Sequence, residues 1–319
     1  MTTEIRKYRL LTRSDFDGLV CAILLRDLGT LGSILFVHPK DVQDGKVEVT
    51  DQDILTNLPY VQSCHLCFDH HPSEEIRTKG LSGANHVLMG EADSAARVLY
   101  DYYGGPPAFP HIDERMMAEV DKADSARFDR EDILHPQGWV LLSFLMDPRT
   151  GLGRFRDFRV SNYQLMMQLI DACREHTIDE VLNLPDVRER IDLYRQHSDE
   201  FGAQIRRCTT VHGSVAVLDL RGEEVIYAGN RFMIYALFPE CEISIHVLWG
   251  LKQQNTVFAV GKSILNRSSQ TKIGDVLLNY GGGGHDAAGT CQIANESAEK
   301  TLKEIVELFR SHTAEPVLV

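Results

Sequence analysis

The sequence predicts an α/β chain: an N-terminal doubly wound parallel sheet, a helical connector, and a smaller C-terminal α/β domain with a mixed sheet. Three observations carry that expectation. Strand-length apolar runs alternate with helical patterns in the first part of the chain, a long helical stretch follows, and the texture then turns β-rich up to one final amphipathic helix. A chain of 319 residues also exceeds the ~250–300 residues at which a single core stops growing. The expected domains are residues 1–135, a connector over 136–205, and 206–319.

The first strand is KYRLLT (7–12). It runs through RSDFDG into the helical pattern VCAILLRDLG, which Gly29 ends. ILFVHP (34–39) and VEVT (47–50) read as the second and third strands, and VEVT leads into the acidic turn DQD. CHLCF (64–68) suits a strand buried on both faces, and DHH follows it at once. SAARVLYDYYG (94–104) and PHIDERMMAEVDKADSARF (110–128) are helical patterns, the latter ending in another acidic turn. WVLLSFLMD, NYQLMMQLIDACREH and DVRERIDLYRQHSDEFGAQIRR fill the connector. TVHGSVAVLDL, EEVIYAG, CEISIHVLWGL and TVFAVGKS supply the later strands, and a helix near 297–311 closes the pattern.

Composition removes several function classes. Hydrophobic residues make up 43% and charged residues 25% of the chain, as in an ordinary globular protein. No apolar run approaches the ~20 residues that cross a bilayer, and the start lacks a signal-peptide pattern, so the expected location is the cytoplasm with no membrane partner. The net charge of −13 opposes sequence-independent binding of long duplex nucleic acid, which depends on neutralising many phosphates. A small anionic substrate is compatible with it. The seven cysteines are odd in number and scattered, as reduced packing thiols would be. Cys64 and Cys67 form a CxxC, but no second pair completes a zinc site.

Asp15 and Asp17 flank Phe16 directly after a strand, where Gly18 allows a sharp bend into a helix. Either alone would read as a helix cap. Three companions change that: Asp51 and Asp53 after VEVT, Asp69-His70-His71 after CHLCF, and Asp121 with Asp124, of which Asp124 stands better placed at a helix-to-loop transition. In an open α/β sheet, ligands gather at the carboxyl ends of the strands. Carboxylates with one or two imidazoles form a hard, mostly oxygen donor set suited to Mn2+ or Mg2+. Two such ions would activate a water for in-line attack on phosphorus, which predicts phosphoester or anhydride hydrolysis.

In the C-terminal part, NYGGGGHDAAGT sets Gly281 to Gly284 before His285. Four glycines in a row carry a high entropic cost. Their amides could cradle a phosphate, with Arg267 and His285 on its oxygens, although glycine runs also serve tight turns.

Together SDFDG, DHH, DSARF and GGGGHDAAG resemble the DHH phosphoesterase superfamily in its form with a C-terminal DHHA1 domain, over nearly the whole chain. Within it the chain looks most like the stand-alone exopolyphosphatase-related and nanoRNase/pAp-phosphatase-like proteins. The resemblance implies that Asp15 binds one metal and Asp17 the other, that Asp53, or Asp51, bridges them, and that His70 ligates the second metal with Asp124. His71 would contact the substrate phosphate or support the ligands, and Asp69 would orient the histidines. Arg267 and Gly282, Gly283, Gly284 and His285 would hold the substrate against the metals in an interdomain cleft. The chain departs from the superfamily pattern at one place: where many members carry a histidine or aspartate shortly before the first DxD, it has Leu11 and Arg13. The first metal is then held weakly, held by another residue such as His38, or absent, and Arg13 is free to bind a substrate phosphate.

The expected function is metal-dependent hydrolysis of a small phosphorylated nucleotide: a short oligonucleotide, a pAp-like nucleotide or a cyclic dinucleotide. The alternatives are an exopolyphosphatase or pyrophosphatase, and a catalytically weakened nucleotide sensor. Tyr280 beside the glycines would suit the stacking of a base, although such a residue is more often simply core. The apolar stripe of NYQLMMQLIDACREH would serve a homodimer contact, although such stripes more often face a core.

Overall fold

The computed structural model describes residues 5–81, 83–155 and 157–313. The chain begins with β1 (Tyr8–Thr12), α1 (Phe16–Asp27), β2 (Leu31–Phe36), α2 (Pro39–Gln43), β3 (Asp53–Thr56), β4 (Leu66–Asp69), α3 (Pro72–Arg77) and β5 (His86–Leu88). The five strands form one sheet in the order β2-β1-β3-β4-β5, every neighbouring pair parallel. The order reverses direction at β1, which places a crevice beside the carboxyl ends of β1 and β3.

Helix α1 is buried without interruption from Phe16 to Leu25. A helix apolar on every side needs cover on every side, and it finds it in α4 (Ala95–Tyr102), α5 (Glu114–Asp124) and α8 (Asn162–Glu175). Gly29, at φ +71°, ends the turn that follows α1. Between α5 and α8 lie α6 (Arg130–Leu134) and α7 (Gly138–Met146); α9 (Ile178–Leu182), α10 (Pro185–Gln196) and α11 (Ser198–Cys208) follow α8.

Two compact units result. One comprises residues 1–127 and 136–194, the other 128–135 and 195–319. The stretch read from sequence as a connector therefore supplies much of the first unit: α8 buries Leu165, Met166, Leu169 and Ile170 and packs on α1.

The second unit holds β6 (Thr209–His212), β7 (Val215–Asp219), α12 (Met233–Leu237), β8 (Ile243–Trp249), β9 (Thr256–Lys262), α13 (Ile273–Leu278), β10 (Gly283–Gly284), β11 (Ala288–Ile293) and α14 (Asn295–Thr313). Its sheet runs β10-β11-β9-β8-β7-β6 and is mixed, with β7 and β8 parallel and the other pairs antiparallel. Ile243, Ile245, Val247, Phe258 and Val260 pack with Ile305 and Phe309 in its core.

Two sequence-read strands are corrected. VEVT is not a strand: Val47 and Val49 pack partly buried against the cluster of Leu11, Val42 and Leu55, while β3 begins only at Asp53. The alternation reported one-sided packing, not ladder pairing. EEVIYAG is irregular as well, because the buried Gln204 takes its backbone bonds, donating to Val225 O (2.8 Å) and accepting from Tyr227 N (3.1 Å). All seven cysteines are unpaired, and no described helix is long and apolar enough to cross a membrane.

Candidate metal centre

The carboxyl end of β1 is fixed to that of β3 by Thr56 Oγ1 donating to Thr12 Oγ1 (2.8 Å). Asp15 then caps α1, its Oδ1 accepting from Gly18 N at 3.1 Å. Glycine is required at 18, since a Cβ there would lie 2.0 Å from Arg13 O. The other carboxylate oxygen of Asp15 takes Arg13 Nε at 3.1 Å.

Asp17, 2% exposed, lies in the first turn of α1 under the start of α4. Its Oδ1 accepts from Ala96 N (2.8 Å), and its Oδ2 from Ala95 N (3.3 Å) and Asn57 Nδ2 (2.8 Å). Amides at a helix start are natural partners for an anion. Asn57 follows β3 directly, sits in the left-handed region at φ +53°, and keeps its buried Oδ1 without a hydrogen-bond partner.

At the end of β4, Asp69 Oδ1 accepts from His71 Nδ1 at 2.7 Å and from the backbone N–H of His70 and His71. It thus orients His71 directly. The His70 ring is held from the other side, with Nδ1 3.2 Å from Ala92 O. Its Nε2 points to Asp124 Oδ2, 2.9 Å away, close enough for an ion pair but not aligned for a full hydrogen bond. Asp124 is the last residue of α5. Ligand atoms of Asp17, His70 and Asp124 all lie within 4.8 Å of one another, as do those of Asp69, His70 and His71.

The first of these groups is electrostatically tense. Burial, then the charges of Asp124 and Asp15, push the Asp17 carboxyl up to about 8. Burial likewise raises Asp15, against the pull of Arg13. For His70, burial is outweighed by contact with Asp124 and by the charges of Asp124, Asp17 and Asp69, and the ring rises to about 9; Asp124 falls in answer. Such a knot of buried carboxylates around an imidazole with an unsatisfied nitrogen fits a hard divalent cation.

The structure brings together Asp15, Asp17, His70, His71 and Asp124. It removes Asp53 and Asp51. Because β3 is DILT and not VEVT, Asp53 stands at the amino end of its strand, ~13 Å of extended chain from Asn57, where it holds Arg9 through Nε (2.6 Å) and Nη2 (2.9 Å). Asp51 is exposed and pairs with Arg6 at 3.6 Å. The residue at the carboxyl end of β3 is an amide, Asn57, which a search for carboxylates passes over. His38 caps α2, its Nδ1 accepting from Lys40 N. Asp121 is buried and receives Ser94 Oγ (2.7 Å) and a fork from Arg97 (2.9 and 2.6 Å). Sequence reasoning also missed Arg149, whose charge acts on Asp15 and Asp124.

In the second unit the glycine run is not an open loop of free amides. Gly281 N and Gly282 N donate to Leu278 O and Leu277 O, His285 N donates to Ala288 O, and β10 pairs with β11. A Cβ at Gly282 would meet Thr290 O at 2.3 Å, so backbone packing alone demands glycine there. Arg267 is exposed, its Nε on Ile264 O at 3.0 Å.

Acidic groups and imidazoles gathered at the carboxyl edge of a parallel sheet, in a chain with a separate mixed-sheet unit, define a phosphoester hydrolase. The chain belongs to the DHH phosphoesterase superfamily. It is 56% identical to the pGpG-specific phosphodiesterase PggH from Vibrio cholerae, with 96% of this chain and 100% of that one aligned and a TM-score of 0.83. An exopolyphosphatase-related protein from Bacteroides fragilis shares the fold at 12% identity (97% and 94% covered, TM-score 0.53). So does RecJ from Thermus thermophilus, solved with Mn2+, at 12% identity (98% and 53% covered, TM-score 0.50). No protein-family model matches the sequence. Among curated proteins, the A-adding tRNA nucleotidyltransferase of Aquifex aeolicus (strain VF5) is 25% identical over 139 residues, 41% of this chain but only 16% of that protein's length.

Proposed function

We propose that the chain is a divalent-metal-dependent phosphodiesterase that cleaves a short linear dinucleotide of the pGpG kind into mononucleotides. The observation that carries this reading is the convergence of Asp17, His70 and Asp124 in a chain 56% identical, over 96% of its length, to an enzyme specific for pGpG. These three residues would hold an ion, Mn2+ or Mg2+, which when bound supplies a water activated for attack and charge to stabilise the oxygens at phosphorus.

The protein's own groups do the rest. Asp69 turns His71, and in its imidazolium form the ring donates to a phosphate oxygen through its other nitrogen. Arg13 and Arg149 place positive charge beside Asp15 and Asp124, where a dianionic substrate would otherwise be repelled. Arg267, Gly282, Gly283, Gly284 and His285 remain the candidates for substrate contact in the second unit; the internally bonded amides of Gly282 and His285 shift most of that role to the Arg267 and His285 side chains.

The test is GMP release from pGpG with Mn2+, set against pApA, pAp, cyclic dinucleotides and polyphosphate, for wild type and His70→Ala. Turnover of pGpG that is lost in His70→Ala is expected. Preferred turnover of polyphosphate would move the assignment to an exopolyphosphatase, and tight pGpG binding without turnover would move it to a nucleotide sensor.

A further inference from the structure

The number of ions at the centre follows from how each donor atom is already used. Asp15 Oδ2 is already paired with a cation, Arg13 Nε at 3.1 Å, whereas the partners of Asp17 are neutral amides that leave its charge to be answered by an ion. Asp17 Oδ2 faces an amide N–H of Asn57 and one of α4. At the end of β3, where a carboxylate could join two ions, stands Asn57, which must turn its Nδ2 to Asp17 and so leaves Oδ1 as a buried neutral oxygen with no partner. Among the described residues the donor atoms converge in two groups that share His70, namely Asp17, His70 and Asp124, and Asp69, His70 and His71; in the second, Asp69 Oδ1 already takes His71 Nδ1 and two backbone N–H groups, which leaves the first for a cation.

Charge gives the same answer. Three carboxylates, Asp15, Asp17 and Asp124, face this region. One dication and the Arg13 guanidinium neutralise them. Asp69 is turned toward His71 and two backbone amides, and Arg149 is answered by Asp147 at 2.7 Å. A second dication would meet Arg13 with no carboxylate left to compensate it.

We infer that this centre is mononuclear: Asp17, His70 and Asp124 hold one divalent ion, and Arg13, clamped on Asp15, takes the place of a second, with Asn57 replacing the carboxylate that would have joined the two. The inference rests on the metal-centre reading above. Arg13 is a positioning residue here, fixing Asp15 and supplying a permanent charge that needs no metal supply.

The experiment is Mn2+ binding to the full chain by titration calorimetry, together with the electron paramagnetic resonance spectrum of the loaded protein. Wild type is expected to bind one Mn2+ per chain, with the six-line spectrum of an isolated ion. The double variant Arg13→His/Asn57→Asp is expected to bind two, with the spectrum broadened by coupling between neighbouring ions. Should that variant fold poorly, by circular dichroism, Asn57→Asp alone is expected to gain a weaker second site. Two coupled ions in wild type would overturn the inference while leaving the metal centre standing. A folded double variant that stays at one ion would overturn the roles given to Arg13 and Asn57. No binding by wild type would overturn the inference and the reading beneath it together.

Discussion

Asn57 Nδ2 donates to Asp17 Oδ2 across 2.8 Å, joining the carboxyl end of β3 to the first turn of α1. Asn57→Ala removes that donor and leaves a buried carboxylate short of one partner, a loss of about 1–3 kcal/mol. A lowered denaturation midpoint is expected, with Mn2+ restoring more of it than in wild type because the ion takes up the buried Asp17 oxygen that Asn57 no longer meets.

His70→Ala and Asp124→Ala each delete a metal donor. Mn2+ affinity is expected to fall by about a hundredfold or more, and turnover with it. Calorimetry on both variants checks this, and a wild-type affinity in either would remove that residue from the centre.

Asp53→Ala separates the two readings of the second acidic turn. Asp53 is 1% exposed and answers Arg9 and Thr50, so stability is expected to drop by about 1–3 kcal/mol. Metal affinity and kcat per folded molecule are expected to stay within about twofold of wild type. A hundredfold loss of Mn2+ affinity would return Asp53 to the metal site.

Metal uptake is expected to strengthen with pH. Asp17, raised to about 8, and His70, raised to about 9, both carry protons at neutral pH in the metal-free protein, and an ion must displace them. Affinity for Mn2+ therefore rises between about pH 6 and 9, by about tenfold per unit for each proton released. Calorimetry in buffers of different ionisation enthalpy counts those protons.

His246 gives an independent pH signal. It sits in β8, and burial with the nearby Arg231 charge depresses its pKa from 6.5 to about 4. A depressed folded pKa means that the unfolded chain binds the proton first. The stability is present above about 6.5 and is lost as the pH falls toward about 4, by up to about 3 kcal/mol. His246→Gln is expected to flatten this part of the stability profile, as thermal melts across that pH window would show.

Much of the candidate centre is legible in sequence because its parts are adjacent in the chain and stand at strand ends. Asp15 and Asp17 follow β1, and Asp69, His70 and His71 close β4, so an apolar run followed by acid sufficed to find them. Asp53 was misplaced because VEVT alternates like a strand while DILT, the real one, begins with the acid itself. Asn57 carries no charge to notice, and Arg149 joins the site only through the tertiary course of the chain after α7. The glycine run read as open amides because sequence shows the absence of side chains but not the β11 backbone that fills the space.

Asp17 accepts the first two amides of α4, which couples the acid at the centre to the beginning of a helix. The backbone hydrogens of Ala95 and Ala96 thereby become built-in reporters: their exchange rates and nitrogen chemical shifts register whether that carboxylate is protonated, ionised or bound to a cation. Two amide resonances would follow the occupancy of the centre in real time, with no label near the substrate and no turnover required.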